Sequence, residues 1–464
     1  MAKDIKVTIV IPREAADSPY PMQESVPLIG VGYIGSVLMQ HDYSVDIIDA
    51  CVEQLSLEEV FRRIVDFGSQ VVGISLNLLA YDFTSGLVNL CKDQDIRVVV
   101  GGPEVTINSR KVLETIRPDI VVLGEGEYII LELLKVLESE KCWSPDNISD
   151  IKGIAFQDST EGFFATPTRP RISDLDSLPF LSYEKFPLEL YPLREDILSK
   201  PPVFSMYTSR GCPYNCSFCS SREIWFRKCF FMSPKRVVDE MEHIIDVFTP
   251  NGIYFRDDNF TVNRQRVIDI CEEVLKRNIK IPWLCQGRAH SINKDLFKLM
   301  KRAGCRSMRF GIESGSKRIL SFIRKEINLD ECLKIVEECK SVGLLTEASI
   351  IVGFPTQTIK EEKETLEFLE RAKFTFVRMG PYIGYPGSDM YREFLANNEK
   401  YVYSQFNDII MPNSEDMTWP QKVAWAKRYN RRFNLTFRRF RHQVSASGLI
   451  PSIRTGVKKV FNKR

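Results

Sequence analysis

Short apolar runs alternate with amphipathic stretches twice along this chain, and a proline-dense interval separates the two series. The first series reads IKVTIVI (5–11), YSVDIID (43–49), QVVGISL (70–76), IRVVVGG (96–102) and DIVVLGE (119–125), five Val- and Ile-rich runs that predict strands. Helical periodicity fills the gaps, and Ser56 followed by Glu59 predicts a capping box where the second helix starts. Strands joined by helix-length crossovers give a parallel, doubly wound sheet with helices on both faces. Residues 1–137 are therefore expected to form a Rossmann-like α/β domain.

Residues 138–200 change character, and their prolines favour extended segments over helices. Within this connector ISDLDSLP (172–179) reads as an ordered strap, because Leu175, Leu178 and Phe180 offer anchors. From Val203 the alternation resumes with VFSMYT (203–208), IYFRDD (253–258), WLCQGR (283–288), SMRFGIE (307–313), ASIIVGF (348–354) and VRMGPYI (377–383). The intervening helices begin at the cap pair Ser233–Pro234 and near Val267, Asp295, Leu329 and Lys360. Six such units predict a partial (β/α)6 barrel over 201–395, two units short of closure, with functional residues on the loops after the strands.

Residues 396–464 are expected to form a helical, basic extension. Trp425, Tyr429, Phe433, Phe437 and Phe440 recur at near i+4 spacing, with Arg428, Arg431, Arg432, Arg438, Arg439 and Arg441 between them. The plainer expectation is an aromatic stripe packed on the barrel; the alternative is peripheral contact with an anionic lipid surface. Charge sharpens this choice. Residues 427–464 hold 12 Lys or Arg and no Asp or Glu, leaving 51 basic against 61 acidic side chains before them. No recognised nucleic-acid module accompanies that charge, so no nucleic-acid partner is expected.

Length and composition fit two or three soluble globular domains. No apolar run approaches a membrane span, and MAKDIKVTIVI enters a strand at once, without the layout of a secretory signal. Twelve cysteines in such a chain point to thiols in a reducing, cytoplasmic compartment.

Candidate chemistry centres on Thr208–Ser221, TSRGCPYNCSFCSS, where Cys212, Cys216 and Cys219 fall within eight residues directly after the first barrel strand. Gly211 and Pro213 set a turn around the first cysteine, and the spacing lets the loop aim three thiolates at one point. That suits an iron–sulfur cluster or a thiolate-bound metal with one open position. In the first domain, Ser75, the pair Gly101–Gly102 and GEGE (124–127) end strands, where doubly wound sheets bind ligands. Ordinary turn chemistry also accounts for glycines there.

The order of pieces down to VVVGGPEVT and VVLGEGE resembles, over 5–137, the cobalamin-binding domain that precedes many radical S-adenosylmethionine enzymes. The resemblance implies that Ser75 and the Gly101–Gly102 turn hold the corrinoid's nucleotide tail. Where many relatives carry DxHxxG this chain has PREAADSPYP, and His41 is a lone histidine. A corrinoid without a protein histidine below its cobalt is expected, with a corrinoid-free domain as the alternative.

CPYNCSFC, the six units and GIESGS together resemble the radical S-adenosylmethionine superfamily over 203–390. This implies a four-iron four-sulfur cluster on Cys212, Cys216 and Cys219, S-adenosylmethionine on its open iron, and reductive cleavage to a 5′-deoxyadenosyl radical, with electrons from a flavodoxin- or ferredoxin-type donor. Other positions follow from that cofactor. Asp257 and Asp258 are placed to accept from the methionyl amino group, Arg288 to pair with its carboxylate and Glu313 to accept the ribose hydroxyls. Backbone at Gly353 is placed for adenine, Phe218 beside the cluster or adenine, and Tyr382 and Tyr385 at the substrate. For Asp257 and Asp258 helix capping is the plainer role, and for Arg288 a rim salt bridge. The expected reaction is cobalamin-dependent methylation of an unactivated carbon of a small molecule, possible lipid or tetrapyrrole substrates being consistent with a membrane-facing tail. The alternatives are ring closure or rearrangement with the same cofactors, as in tetrapyrrole cyclases, and a non-enzymatic iron–sulfur or corrinoid sensor.

Overall fold

The computed structural model describes residues 3–15, 26–158, 162–191, 202–290, 292–397, 402–406 and 409–434. They divide into two compact units, one centred on residues up to 191 and taking in 220–231, the other on 202–219 and 232 onward.

The first unit is built on a seven-stranded sheet. Its strands are β1 (Lys6–Ile11), β2 (Ser44–Asp49), β3 (Val71–Ser75), β4 (Arg97–Gly101), β5 (Ile120–Val122), β6 (Ile154–Asp158) and β7 (Gly162–Ala165). The order is β2-β1-β3-β4-β5-β6-β7, with β1 to β5 parallel as expected. Five consecutive buried positions, Val7–Ile11, mark β1 as covered on both faces. The capping box forms, with Glu59 N–H on Ser56 Oγ at 3.2 Å and Ser56 N–H on the Glu59 carboxylate at 2.7 Å.

The interval read as a connector contributes more than a strap. β6 and β7 pair antiparallel with β5 and with each other, and the Phe156 and Phe164 rings meet at 5.2 Å. Proline density pointed away from strands there, but the prolines flank β6 and β7 and none falls within them. Leu175 and Leu178 are buried and Phe180 half-buried, as the strap requires. Leu181 then presses on the helix Ile29–Gln40 so closely that a Cβ on Gly32 would sit 2.7 Å from Leu181 Cγ.

The second unit carries β8 (Val203–Met206), β9 (Gly252–Phe255), β10 (Trp283–Gly287), β11 (Cys305–Glu313), β12 (Leu345–Val352) and β13 (Phe376–Pro381). All six are parallel, in the order β13-β12-β11-β10-β9-β8. Helices follow with conventional starts: Ser233, Asn263, Asn293, Asn328 and Thr358 each accept a first-turn N–H. One face of the sheet packs on these helices, as in the Phe310–Phe374–Phe368 chain of rings with 6.4 Å steps.

The helix Trp419–Asn434 covers the free edge at β13. Trp419, Ala426, Tyr429 and Phe433 are buried, while Arg428, Arg431 and Arg432 stay exposed. The aromatic stripe is thus spent on the barrel, which corrects the lipid-contact alternative for this part of the tail; Phe437, Phe440, Arg438, Arg439 and Arg441 lie outside the described residues. No described helix is long and apolar enough to cross a membrane. Two side chains one turn apart replace a seventh strand. Asn430 bonds Met379 through its amide (2.8 Å to N–H, 2.9 Å to C=O), and Asn434 does the same for Val377 (3.0 and 2.7 Å). Asn430→Leu should therefore strand two buried backbone groups and cost about 2–4 kcal/mol, read as a lowered urea midpoint with an unchanged m-value.

Candidate functional site

The cysteine loop leaves β8 through a buried knot. Asp257, fully buried, accepts from the N–H groups of Thr208 (2.6 Å) and Ser209 (3.2 Å) and from the Thr208 hydroxyl. Arg266 donates to the Thr208 carbonyl and hydroxyl and pairs with Asp257 at 3.9 Å. Asp257 therefore has its carboxylate committed to the loop's base, a correction to its expected role as a cofactor acceptor: a charged group this buried needs internal partners. Asn263, not Asp257 or Asp258, caps the next helix. Asp258 is exposed and adds its field to Cys212.

Further along, Ser217 pins the loop. Its N–H donates to the Ile323 carbonyl (3.0 Å) and its carbonyl accepts from Met390 N–H (2.9 Å). Cys212 and Cys219 are half-buried, Cys216 is buried, and none of the three is in a disulfide. Among the described residues no three His, Cys, Asp or Glu side chains converge on a single ion. Cys216 is near enough to Cys212 for its charge to act on that thiol, and three cysteines on one short loop suit a cluster in which each thiolate takes a different iron. Burial pushes the Cys212 thiol up, and the Asp258 and Cys216 charges act in the same sense while Arg288 opposes them. Cluster binding would have to displace that proton.

Arg288 follows β10 and is 5% exposed. Its guanidinium lies 3.6 Å from the Tyr214 ring centroid, reaches Cys216 Sγ at 3.7 Å and donates to the Glu326 carbonyl at 2.9 Å. Among the described residues no carboxylate pairs with it, so the rim salt bridge does not form there. Arg288 Nε and Ser217 Oγ are buried without partners. A fixed cation and two unsatisfied polar atoms within the thiol loop fit an anionic, thiolate-held group there.

Phe218 packs on Phe354 (5.9 Å between rings) and on the cluster of Ile319, Leu320, Ile323, Tyr382 and Met390. Tyr382 is 3% exposed, 5.1 Å from Phe354 ring to ring, and burial pushes its hydroxyl up. It belongs to the wall behind Phe218 and not to a substrate surface, since a strand-end aromatic gains most by packing. Tyr385 is half-buried, and its carbonyl accepts from the Ser388 hydroxyl at 2.9 Å.

Glu313 ends β11 with φ +67° after a register shift, and bonds Lys325 Nζ at 2.9 Å within a buried ion pair. Gly353 differs from expectation. It is buried with φ +73°, its N–H donates to Glu362 at 2.6 Å and its carbonyl accepts from Lys422. Both backbone groups are taken, so none is left for adenine, and a Cβ there would lie 2.4 Å from Lys422 Cε.

Burial pushes Glu362 up to about 8 and Lys422 down to about 7. A raised carboxyl contributes stability in full below its ordinary 4.5 and loses it as pH rises through about 8; a depressed lysine contributes above 10.5 and loses it as pH falls through about 7. Together they place a stability minimum between those two folded values. Thermal melts across pH should show it, and a Glu362→Gln, Lys422→Met double variant should not.

In the first unit, Ser75 and Gly101 stand half-exposed at the carboxyl ends of β3 and β4, on one side of the β1/β3 switch in strand order. Leu76 N–H donates to the Gly101 carbonyl at 2.9 Å. Gly102 has φ +111°, and a Cβ would come 2.8 Å from the Leu76 carbonyl oxygen, so only glycine lets this turn approach the neighbouring loop. His41 ends the helix Ile29–Gln40 with Nδ1 2.9 Å from the Val37 carbonyl, a capping role.

The model of the Radical SAM superfamily matches residues 206–369, and that of the B12 binding domain residues 23–134. An uncharacterized methyltransferase of Pyrococcus horikoshii is 31% identical over 85% of this chain and 84% of its own length. The anaerobic magnesium-protoporphyrin IX monomethyl ester cyclase of Rubrivivax gelatinosus is 28% identical over 84% of this chain and 71% of its own. Among solved structures, the cobalamin-dependent S-adenosylmethionine radical enzyme OxsB matches with TM-score 0.74 at 17% identity, over 92% of this chain and 66% of that one. TsrM from Kitasatospora setae, a radical S-adenosylmethionine methyltransferase, matches with TM-score 0.70 at 16% identity over 91% and 82%.

Proposed function

The chain belongs to the radical S-adenosylmethionine enzymes that carry a B12-binding domain, and on that premise we propose that it methylates an unactivated carbon of a small molecule. The observation that carries this is the loop of three cysteines outside any disulfide after β8, with the Arg288 guanidinium against Cys216. Cys212, Cys216 and Cys219 would hold a four-iron four-sulfur cluster, and Ser75 with Gly101–Gly102 would hold cobalamin. With S-adenosylmethionine these groups supply, when bound, the 5′-deoxyadenosyl radical and the transferable methyl group.

The chain's own residues supply placement. Asp257 and Arg266 fix where the loop begins, and the Ser217 backbone fixes its middle. Arg288 holds a positive charge beside Cys216, complementary to an anionic cluster held there. Phe218, Phe354 and Tyr382 form an apolar wall next to the loop and exclude water from that side. Glu313, held by Lys325, remains the candidate acceptor for ribose hydroxyls. Electrons would come from a flavodoxin- or ferredoxin-type donor in a cytoplasmic setting.

Anaerobic reconstitution with iron, sulfide and hydroxocobalamin should give about four irons per chain and corrinoid absorption that survives desalting. Reductant and S-adenosylmethionine should then yield 5′-deoxyadenosine together with S-adenosylhomocysteine, the by-product of methyl donation. Loss of corrinoid on desalting would overturn the cobalamin assignment. The cyclase relative supports a second reading, ring closure without methyl transfer; 5′-deoxyadenosine without S-adenosylhomocysteine would favour it. Neither product would favour a sensor.

A further inference from the structure

The barrel sheet has a second face, turned away from Phe310 and its helices, and five neighbouring strands place polar side chains on it in one row. The row runs from Tyr254 on β9 through Gln286 on β10, Arg309 on β11 and Glu347 on β12 to Arg378 on β13. Tyr254 Oη donates to Gln286 Oε1 at 3.2 Å and accepts from Arg309 Nη1 at 3.2 Å. Glu347 Oε1 pairs with Arg309 Nη2 at 2.9 Å and with Arg378 Nε. Gln286 Nε2 donates to the Asp257 carbonyl at 3.0 Å, tying the row to the knot beneath the cysteine loop.

Two buried oxygens beside the arginines lack a hydrogen-bond partner. Glu347 is fully buried and its Oε2 has no partner; Ser307, two residues before Arg309 and 1% exposed, leaves Oγ without one. Buried polar atoms of that kind call for a donor or acceptor supplied from outside the chain. Beside them the guanidinium side chains stay reachable, at 19% exposure for Arg309 and 45% for Arg378. Each presents a planar fork of N–H donors on the same face as the buried Glu347 carboxylate. Its depth also suits the chemistry. Gln286 precedes Arg288 by two residues on an extended strand, so the row lies about 7 Å along the strand from the residue that meets Cys216.

We propose that this row recognises the substrate of the radical site, and that the substrate is a small hydrophilic molecule bearing a carboxylate or phosphate oxyanion with a hydroxyl or ammonium donor next to it. Arg309 and Arg378 take the oxyanion through their planar donor forks; Glu347 Oε2 and Ser307 Oγ take the donor. A purely hydrocarbon skeleton would leave those two atoms buried and unpaired, at a cost the polar substrate avoids. The inference rests on the radical reading above, which places chemistry next to the row.

Calorimetry on the reconstituted full chain, with inorganic phosphate and 3-phosphoglycerate as probes, tests it. Wild type should bind 3-phosphoglycerate more tightly than phosphate, and Arg378→Gln should weaken both by about tenfold or more, the loss expected for one charge-assisted bond. Arg378→Gln leaves Glu347 paired with Arg309, and an unchanged melting curve confirms that its fold is intact. Arg371→Gln, which removes the same charge from the exposed helix Ile359–Ala372, should bind as wild type does. Absence of binding to both probes, or equal weakening by Arg371→Gln, overturns the proposal. The same preparations are assayed for 5′-deoxyadenosine: cleavage without anion binding sinks this inference alone, and anion binding without cleavage sinks the radical reading while the site stands.

Discussion

Cys216→Ser should abolish reductive cleavage of S-adenosylmethionine, leaving 5′-deoxyadenosine at the background of protein without a cluster. Cys216 is the most enclosed of the three thiols, and the Arg288 guanidinium touches it. Serine is nearly isosteric but cannot offer the soft thiolate that iron–sulfur clusters take. The variant should nevertheless fold, because the loop is held by the Ser217 backbone and by the knot at Thr208, neither of which uses the Cys216 side chain. Iron content, measured beside the melting curve, separates a lost cluster from a lost fold. A Cys216→Ser protein that still formed 5′-deoxyadenosine would remove the basis for the enzyme assignment.

The second large effect lies beneath the loop. Asp257→Ala removes the acceptor for two backbone N–H groups and the Thr208 hydroxyl and leaves the Arg266 charge buried without its counter-ion. Breaking a buried pair from one side costs about 3–5 kcal/mol, a large part of a typical domain's stability. Chemical denaturation should show that loss, and iron loading should fall with it because the first cysteine is four residues beyond Thr208. Asp257→Asn keeps acceptor oxygen and shape and should lose less on both measures. Equal stability of Asp257→Ala and wild type would mean that the knot does not hold the loop.

The strands were legible because Val- and Ile-rich runs have a period and a length that few other elements share, and observed strand ends fall within three residues of the expected ones. β6 and β7 were hidden by the prolines that follow them. Within the site, CPYNCSFC could be read because its chemistry is written in spacing alone. Arg266, Lys325, Glu362 and Lys422 could not be, since each is an ordinary charge in a polar helix or turn until the fold buries it beside Thr208, Glu313 or Gly353. Gly353 shows the converse. Its glycine is required, but by a positive φ and by the lysine packed on it, so a signal that suggested ligand access records a close approach within the chain.

The paired asparagines at β13 have a consequence for how the protein is made. Pro381 leaves the ribosome 53 residues ahead of Asn434, which at ordinary synthesis rates is roughly 3–10 s. For that interval the last barrel strand offers unpaired N–H and C=O groups to any other nascent chain. Fast translation through residues 382–434 would shorten that exposure, and a chaperone bound there would cover it, until Asn430 and Asn434 close the edge.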